Sequence, residues 1–123
     1  MAEHVIDASA ALTYLLDEPG SDRVAPHLQD GLISAVNLSE VVARLVRTGA
    51  DPMRAHYLGC RIIPFDADLA DRAGRLWPTT ARLGLSLGDR ACLALALRER
   101  LPVLTADRAW GELSLDIDLV LVR

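Results

Sequence analysis

Apolar residues recur along this chain with two different periods. Short branched-aliphatic clusters alternate with longer stretches in which apolar positions return every three or four residues. Val5 and Ile6 predict a strand over roughly residues 3–7, and Ala8–Leu16 predicts a helix closed by Pro19-Gly20. Residues 21–29 read as a second, weaker helix with Ser21 as its N-cap. Leu32–Ala35 is a second strand. Asn37–Thr48 is a helix with Leu38, Val41, Val42, Leu45 and Val46 at helical spacing, closed by Gly49. Asp51 caps a further helix that has Pro52 at its first position. A third strand over Arg61–Phe65 leads to a helix opened by Asp66 and running to about Trp77, where Pro78 breaks it. Ser86 opens a helix to Arg100, ended by Pro102; Val103–Thr105 and Ile117–Val122 are the last two strands. Strands alternating with helices predict an α/β architecture, a parallel sheet covered on both faces.

Length and composition narrow the picture. The 123 residues hold one domain, and the 51% hydrophobic content supplies a core and excludes disorder. The longest apolar run, Ala91–Leu97, is too short to cross a bilayer, and Met1-Ala2-Glu3-His4 carries no leader pattern. Cys60 and Cys92 form neither a disulfide framework nor a zinc cluster, so a reducing, cytoplasmic setting is expected. The net charge is −4, and all 13 basic residues are arginine. Without lysine there is no Walker P-loop, no Schiff base and no lysine general base. The acidic balance does not suit a general nucleic-acid coat protein. It leaves room for a nucleic-acid enzyme whose acidic pocket sits among local arginines.

In a parallel sheet, sites form beyond the carboxyl ends of the strands. Asp7 follows the first strand and Asp107 the fourth, while Glu40 and Asp89 lie in the first turns of the helices opened by Asn37 and Ser86. Asp89 shares a stripe with Leu93, Ala96 and Leu97 and so turns inward. All four acids are expected at one edge. Each also has a local role open to it. Asp7 can cap a helix and Asp107 can start a turn. Asn37–Glu40 and Ser86–Asp89 both resemble capping boxes, and Glu40 can pair with Arg44. As a set they are more demanding. Two carboxylates about 4 Å apart repel by about 4 kcal/mol at an effective dielectric of 20. Converging acids must protonate, pair with arginine or bind a cation. All-oxygen ligands suit Mg²⁺ or Mn²⁺, which activate water and clamp a phosphate, so phosphodiester hydrolysis is the reaction this equipment favours.

Four stretches in order carry a resemblance: Val5-Ile6-Asp7-Ala8-Ser9-Ala10, Ser34-Ala35-Val36-Asn37-Leu38-Ser39-Glu40-Val41, Leu85 through Ala94 around Gly88-Asp89-Arg90, and Pro102-Val103-Leu104-Thr105-Ala106-Asp107-Arg108. The chain resembles, over essentially its whole length, the PIN-domain ribonucleases, and among them the VapC-like toxins of type II toxin–antitoxin systems. The resemblance implies a PIN-like α/β/α sandwich with a five-stranded parallel sheet over residues 1–123. It also implies Mg²⁺- or Mn²⁺-dependent endoribonuclease activity. Asp7, Glu40, Asp89 and Asp107 fall on the family's acidic positions. By analogy Asp7, Asp89 and Asp107 hold the metal, and Glu40 holds a metal-bound water or a second ion. Ser9 and Thr105 match small hydroxyl positions lining such sites. The implied products carry a 5′-phosphate and a 3′-hydroxyl. The implied partners are RNA, a second copy of the chain, and a cognate VapB-like antitoxin that covers the site.

Arg90 and Arg108 adjoin candidate ligands, with phosphate or antitoxin contact as the functional reading and surface charge balance as the plain one. Arg44 and Arg47 read as a solvated helix face, with Arg44 a candidate groove residue. Asp66 and Asp68 read as caps, and Asp116 and Asp118 as solvent-facing residues of the last strand. His4, His27 and His56 lack ligand spacing, and the two cysteines read as small buried residues. Trp77 and Trp110 read as core or dimer anchors, with base stacking a minor option for Trp110. Leu12, Tyr14 and Leu15 are candidates for a dimer surface. Two alternatives stand beside the toxin: a housekeeping RNA-processing nuclease, and a non-catalytic binding module whose acids are only caps. A phosphoacceptor receiver domain requires a lysine that this chain does not have.

Overall fold

Each strand is short, with aliphatic side chains that alternate between two helical layers. In the computed structural model, which describes residues 2–123, β1 (His4–Ile6), β2 (Gly31–Ser34), β3 (Arg61–Ile63), β4 (Val103–Thr105) and β5 (Leu119–Leu121) form one sheet. All pairings are parallel and the order is β3-β2-β1-β4-β5. The chain starts at the centre, winds outward through β2 to β3, then crosses to the other side of β1 for β4 and β5. The reversal of direction lies between β1 and β4, and a crevice opens at such a point beyond the carboxyl ends of the strands.

Alternation along the strands splits the core in two. Ile6, Ile33 and Leu104 face α1 (Ala8–Leu15), α2 (Ser21–Val24) and the inner side of α3 (Ala35–Arg47), where Val41 and Leu45 are fully buried. Val5, Leu32 and Val103 face α4 (Ala67–Arg75) and α6 (Leu87–Glu99), together with Trp110. Every residue from Ala91 to Ala96 is buried, so α6 is covered on more than one side. Full burial of one leucine or valine contributes about 1.5–3 kcal/mol, so these two layers carry most of the drive to fold. α4 runs antiparallel to α6, because Asp66 and Asp68 at its start meet Arg98 near the end of α6 at 3.9 and 3.4 Å. A short helix, α5 (Trp77–Thr80), and a 3₁₀ turn over Ala81–Leu83 return the chain to the start of α6.

Several boundaries differ from the sequence reading. Ser21 is the first residue of α2 and Gly20 is its cap; the expected helix over 21–29 becomes one α-turn followed by a 3₁₀ turn carrying Pro26. The helix expected from Asn37 begins at Ala35, because the Ser34 hydroxyl accepts from the Val36 amide at 3.2 Å. Pro52–Tyr57 is a 3₁₀ helix, capped by Asp51 as expected. Pro78 sits in the first turn of α5, where its missing N–H leaves no bond unmade. β5 is shorter than expected, since its partner β4 pairs only three residues, so Asp116 and Asp118 precede the strand as exposed residues, the Asp118 carbonyl still accepting from the Val103 amide at 2.9 Å. Among the described residues no helix is long and apolar enough to cross a membrane.

Candidate active site

Asp7 leaves β1 at the reversal point, and its amide stays in the ladder through the Leu104 carbonyl at 2.9 Å. Its side chain is 3% exposed. Oδ2 accepts from the Ser9 hydroxyl at 2.6 Å and from the Thr105 hydroxyl at 2.9 Å. Both hydroxyls are aimed by main-chain amides: Ala106 N–H donates to Ser9 Oγ at 2.9 Å, and Asp107 N–H donates to Thr105 Oγ1 at 3.0 Å. With its lone pairs engaged by an amide, each hydroxyl directs its one proton to Asp7. Burial pushes the Asp7 carboxyl up to about 6; the two hydroxyls oppose the rise, and the charges of Asp89 and Glu40 add to it.

The other three acids arrive from three further elements. Glu40 lies in α3 and its Oε1 accepts from Asn37 Nδ2 at 2.8 Å. Asp89 lies in the first turn of α6 in a complete capping box with Ser86, its Oδ2 accepting from the Ser86 amide at 2.9 Å. Asp107 follows β4 and caps a 3₁₀ turn (Arg108–Glu112), its Oδ1 accepting from the Ala109 amide at 3.0 Å. All four, with Ser9, line one hollow of about 350 Å³. The local roles expected of Asp89 and Asp107 form and coexist with their place in the hollow, whereas Asp7 makes no side-chain cap bond to α1. Each carboxylate accepts hydrogen bonds through one oxygen, and its second oxygen receives none among the described residues.

Asn37 has a role that the sequence reading assigned differently. The capping box expected between Asn37 and Glu40 does not form, because α3 starts two residues earlier. Asn37 is instead fully buried and gives one amide proton to Glu40 and the other to the Gly88 carbonyl, 2.9 Å away on α6. It ties the starts of α3 and α6 together. Gly88 is packed directly beneath Glu40, and a Cβ there would collide with the Glu40 carboxylate. A buried-side asparagine one turn before an acid is the available sequence signal; its partner 51 positions away is not.

Arginines line the same hollow without neutralising the acids. Arg44, Arg47 and Arg123 face it together with Glu18, and the ion pair formed there is Arg123–Glu18 at 3.8 Å. Arg44 does not pair with Glu40 despite the four-residue spacing. Five carboxylates against three guanidiniums leave a formal charge of −2, which one divalent cation offsets. Among the described residues no three acidic, histidine or cysteine side chains converge tightly enough to cage a metal. Mg²⁺ does not require such a cage: it keeps several waters and is held by one or two carboxylates together with substrate phosphate. The free carboxylate oxygens and the uncompensated charge fit that ion.

The remaining candidates fall elsewhere. Arg108 does not line the acidic hollow; its Nε donates to the Arg123 main-chain oxygen at 3.3 Å. Arg90 is partly exposed, with a buried Nε that has no partner among the described residues. Trp110 is wholly buried, which removes base stacking, whereas Trp77 is 60% exposed and is no core anchor. Leu12 lines the hollow, Tyr14 is exposed, and Leu15 belongs to the core rather than to a surface. Cys92 is buried beneath the acids, and burial together with their charge pushes its thiol up, so it is inert. Cys60 is partly exposed rather than buried, and burial still pushes its thiol up to about 11. The His4 and His27 rings meet at a tilt of 53°, 4.4 Å between centres, outside the acidic hollow.

The PIN domain model matches residues 4–114. The fold is similar to a toxin–antitoxin complex chain from Klebsiella pneumoniae, with a TM-score of 0.77 at 18% identity over 98% of both chains. It is similar to a chain of DNA-bound VapBC from Salmonella typhimurium, with a TM-score of 0.74 at 18% identity over 100% of both. It is also similar to VapC20 of Mycobacterium tuberculosis, a toxin that cleaves the sarcin–ricin loop, with a TM-score of 0.72 at 19% identity over 89% of this chain and 93% of that one. No curated protein matches the sequence. A domain model spanning nearly all of the chain, on a sheet that gathers four acids at its reversal point, places the chain in the PIN domain family.

Proposed function

We propose that the chain is a divalent-metal-dependent endoribonuclease acting in the cytoplasm as the toxin of a type II toxin–antitoxin pair. The observation that carries this reading is the acidic hollow, in which four carboxylates from four elements each keep one oxygen free. Asp7, Asp89 and Asp107 would hold Mg²⁺ or Mn²⁺, with Glu40 holding a water or a second ion. Bound there, the ion supplies positive charge to the phosphodiester and lowers the pKa of the attacking water. The chain's own residues supply the positioning. Ser9 and Thr105 fix Asp7 Oδ2 and so orient the carboxylate. Asn37 holds Glu40 at a set height above α6. The Ser86 box locks Asp89 to the start of that helix. At neutral pH Asp7 is ionised, since its carboxyl titrates near 6.

Hydrolysis leaves a 5′-phosphate and a 3′-hydroxyl. Similarity to a toxin–antitoxin complex, to VapBC and to a sarcin–ricin loop cleaving VapC supports the toxin reading and a VapB-like antitoxin partner, and assembly as a homodimer is part of the same proposal. Induced expression of wild type and Asp89→Asn in a bacterial host, with 5′-phosphate RNA ends mapped across the transcriptome, tests it. New discrete ends and growth arrest are expected with wild type alone. Equal end profiles from the two soluble, folded proteins would overturn the nuclease reading.

A further inference from the structure

A second hollow, of about 390 Å³, adjoins the acidic one and shares Arg123 with it. Its charge is reversed. Arg23 and Arg108 join the shared Arg123 in lining it against a single acidic side chain, Asp22; Arg123 already pairs with Glu18, so Arg23 and Arg108 are the cations this hollow adds beside the acidic one. Neither Arg23 nor Arg108 forms an ion pair among the described residues. Both are exposed.

The floor of this hollow is built, not incidental. Gly20, at φ 102°, packs on the Val122 carbonyl so closely that a Cβ would collide with it. Val122 is fully buried, and its amide donates to the Thr105 carbonyl at 3.0 Å, so the floor is tied to the strand that also carries the Asp7-holding hydroxyl. Arg108 directly follows Asp107. Its Nε is taken up by the Arg123 main-chain oxygen, which fixes the guanidinium while leaving its two outer nitrogens free to donate.

We infer that the hollow formed by Arg23, Arg108 and Arg123 is a phosphate subsite that holds a backbone phosphate of the RNA strand beside the one cleaved in the acidic hollow. The inference rests on the nuclease reading of that neighbouring site. A metal-charged acidic pocket takes the scissile phosphate, and the strand running out of it carries further negative charges that a purely acidic surface repels. The shared Arg123 makes the two hollows one path. A nucleic-acid backbone fits this surface better than an acidic protein segment does. Protein partners anchor through apolar or aromatic side chains in desolvated pockets, whereas phosphates require only fixed cations and donors. Here the apolar floor is limited to Pro19, Gly20 and Val122.

The test uses the full chain in an Asp89→Asn background, where binding is read without cleavage, and a labelled twelve-nucleotide oligouridine as probe. Binding by anisotropy is followed from low to high salt for the parent, for Arg23→Ala with Arg108→Ala, and for Arg82→Ala as a surface control. Each lost phosphate contact flattens the plot of log K against log salt by about 0.7 on single strands. The double variant is expected to flatten it by about 1.4 and to bind at least tenfold more weakly at low salt, while Arg82→Ala matches the parent. A single charge reversal, Arg23→Glu, gives a larger loss than Arg23→Ala. An unchanged slope in the double variant, or a parent that binds no oligouridine, overturns the subsite. So does a double variant that keeps its RNA slope but loses binding to a hexaglutamate peptide, which would assign the surface to an acidic protein partner. The melting temperature of each variant confirms that it is folded. Cleavage by the wild type is read separately: no cleavage with an altered slope overturns the nuclease reading and spares the binding site, whereas cleavage with an unchanged slope does the reverse.

Discussion

The two ends of the sheet carry similar side chains and very different chemistry. Beyond the carboxyl ends of the strands lies the acidic hollow. At the opposite edge lies another, of about 460 Å³, lined by Arg100, Pro102, Asp116 and Asp118 among others. Both contain aspartates and arginine. At the second edge the aspartates are exposed, on the segment that leads into β5. At the first, Asp7 is buried, its Oδ2 is gripped by two hydroxyls, and its neighbours come from three other elements. Carboxylates alone do not make a site. What differs is that strand ends and helix starts bring them together from several directions, with Asp7 held fast at the bottom.

The comparison can be broken at its strongest point first. Asn37→Ala removes both the donor to Glu40 and the tie to α6. Residues that orient a site in this way typically matter by 10–100-fold, so kcat is expected to fall by about that factor with KM little changed. Added to Glu40→Ala, the same substitution should lower the melting temperature but cost no further activity. Additive losses in cleavage would show that Asn37 acts otherwise than through Glu40.

Asp7 sharpens the contrast through stability. Its carboxyl is raised in the folded chain, so the folded state holds this proton more tightly than the unfolded state does. The stability it contributes is full below the ordinary value of 3.8 and is lost as pH rises through about 6. That loss amounts to about 3 kcal/mol at neutral pH. Asp7→Asn, melted with chelator present, is expected to exceed wild type in melting temperature at pH 7, with the gap closing by pH 4. A gap independent of pH would assign the gain to packing instead. The smallest effect belongs to the other edge. Asp116→Asn with Asp118→Asn should leave cleavage unchanged and stability within about 0.5 kcal/mol. A loss of cleavage there would end the distinction between the two edges.

The sheet, the main helices and the gathering of four acids were legible because they follow from local pattern. Branched aliphatics mark the strands, and acids placed just after strands or at helix starts land on one edge by topology. The illegible parts depend on distant partners. Asn37 looks like a cap until Gly88 is seen against it. Ser34 takes over the capping role because its hydroxyl reaches Val36. Trp110 sits close after Asp107 in sequence yet turns into the core, while Trp77 stays outside because it starts the short helix that returns the chain. No local periodicity encodes that return, since it answers to the antiparallel packing of α4 on α6. Nor does Arg108 declare itself from its neighbour Asp107; its direction is set by the Arg123 main-chain oxygen.

Gly88 has no side chain, yet the proposed activity leans on it. A single added methyl there meets the Glu40 carboxylate, so every missense change at this codon bears directly on the site. Colonies surviving forced expression of the chain should therefore include lesions at position 88, fewer than at Asp7 or Asp89, because the Glu40 carboxylate ends a flexible side chain that can swing aside. A geneticist mapping those survivors would find hits at a residue whose carbonyl holds Asn37 and whose missing side chain leaves room for Glu40.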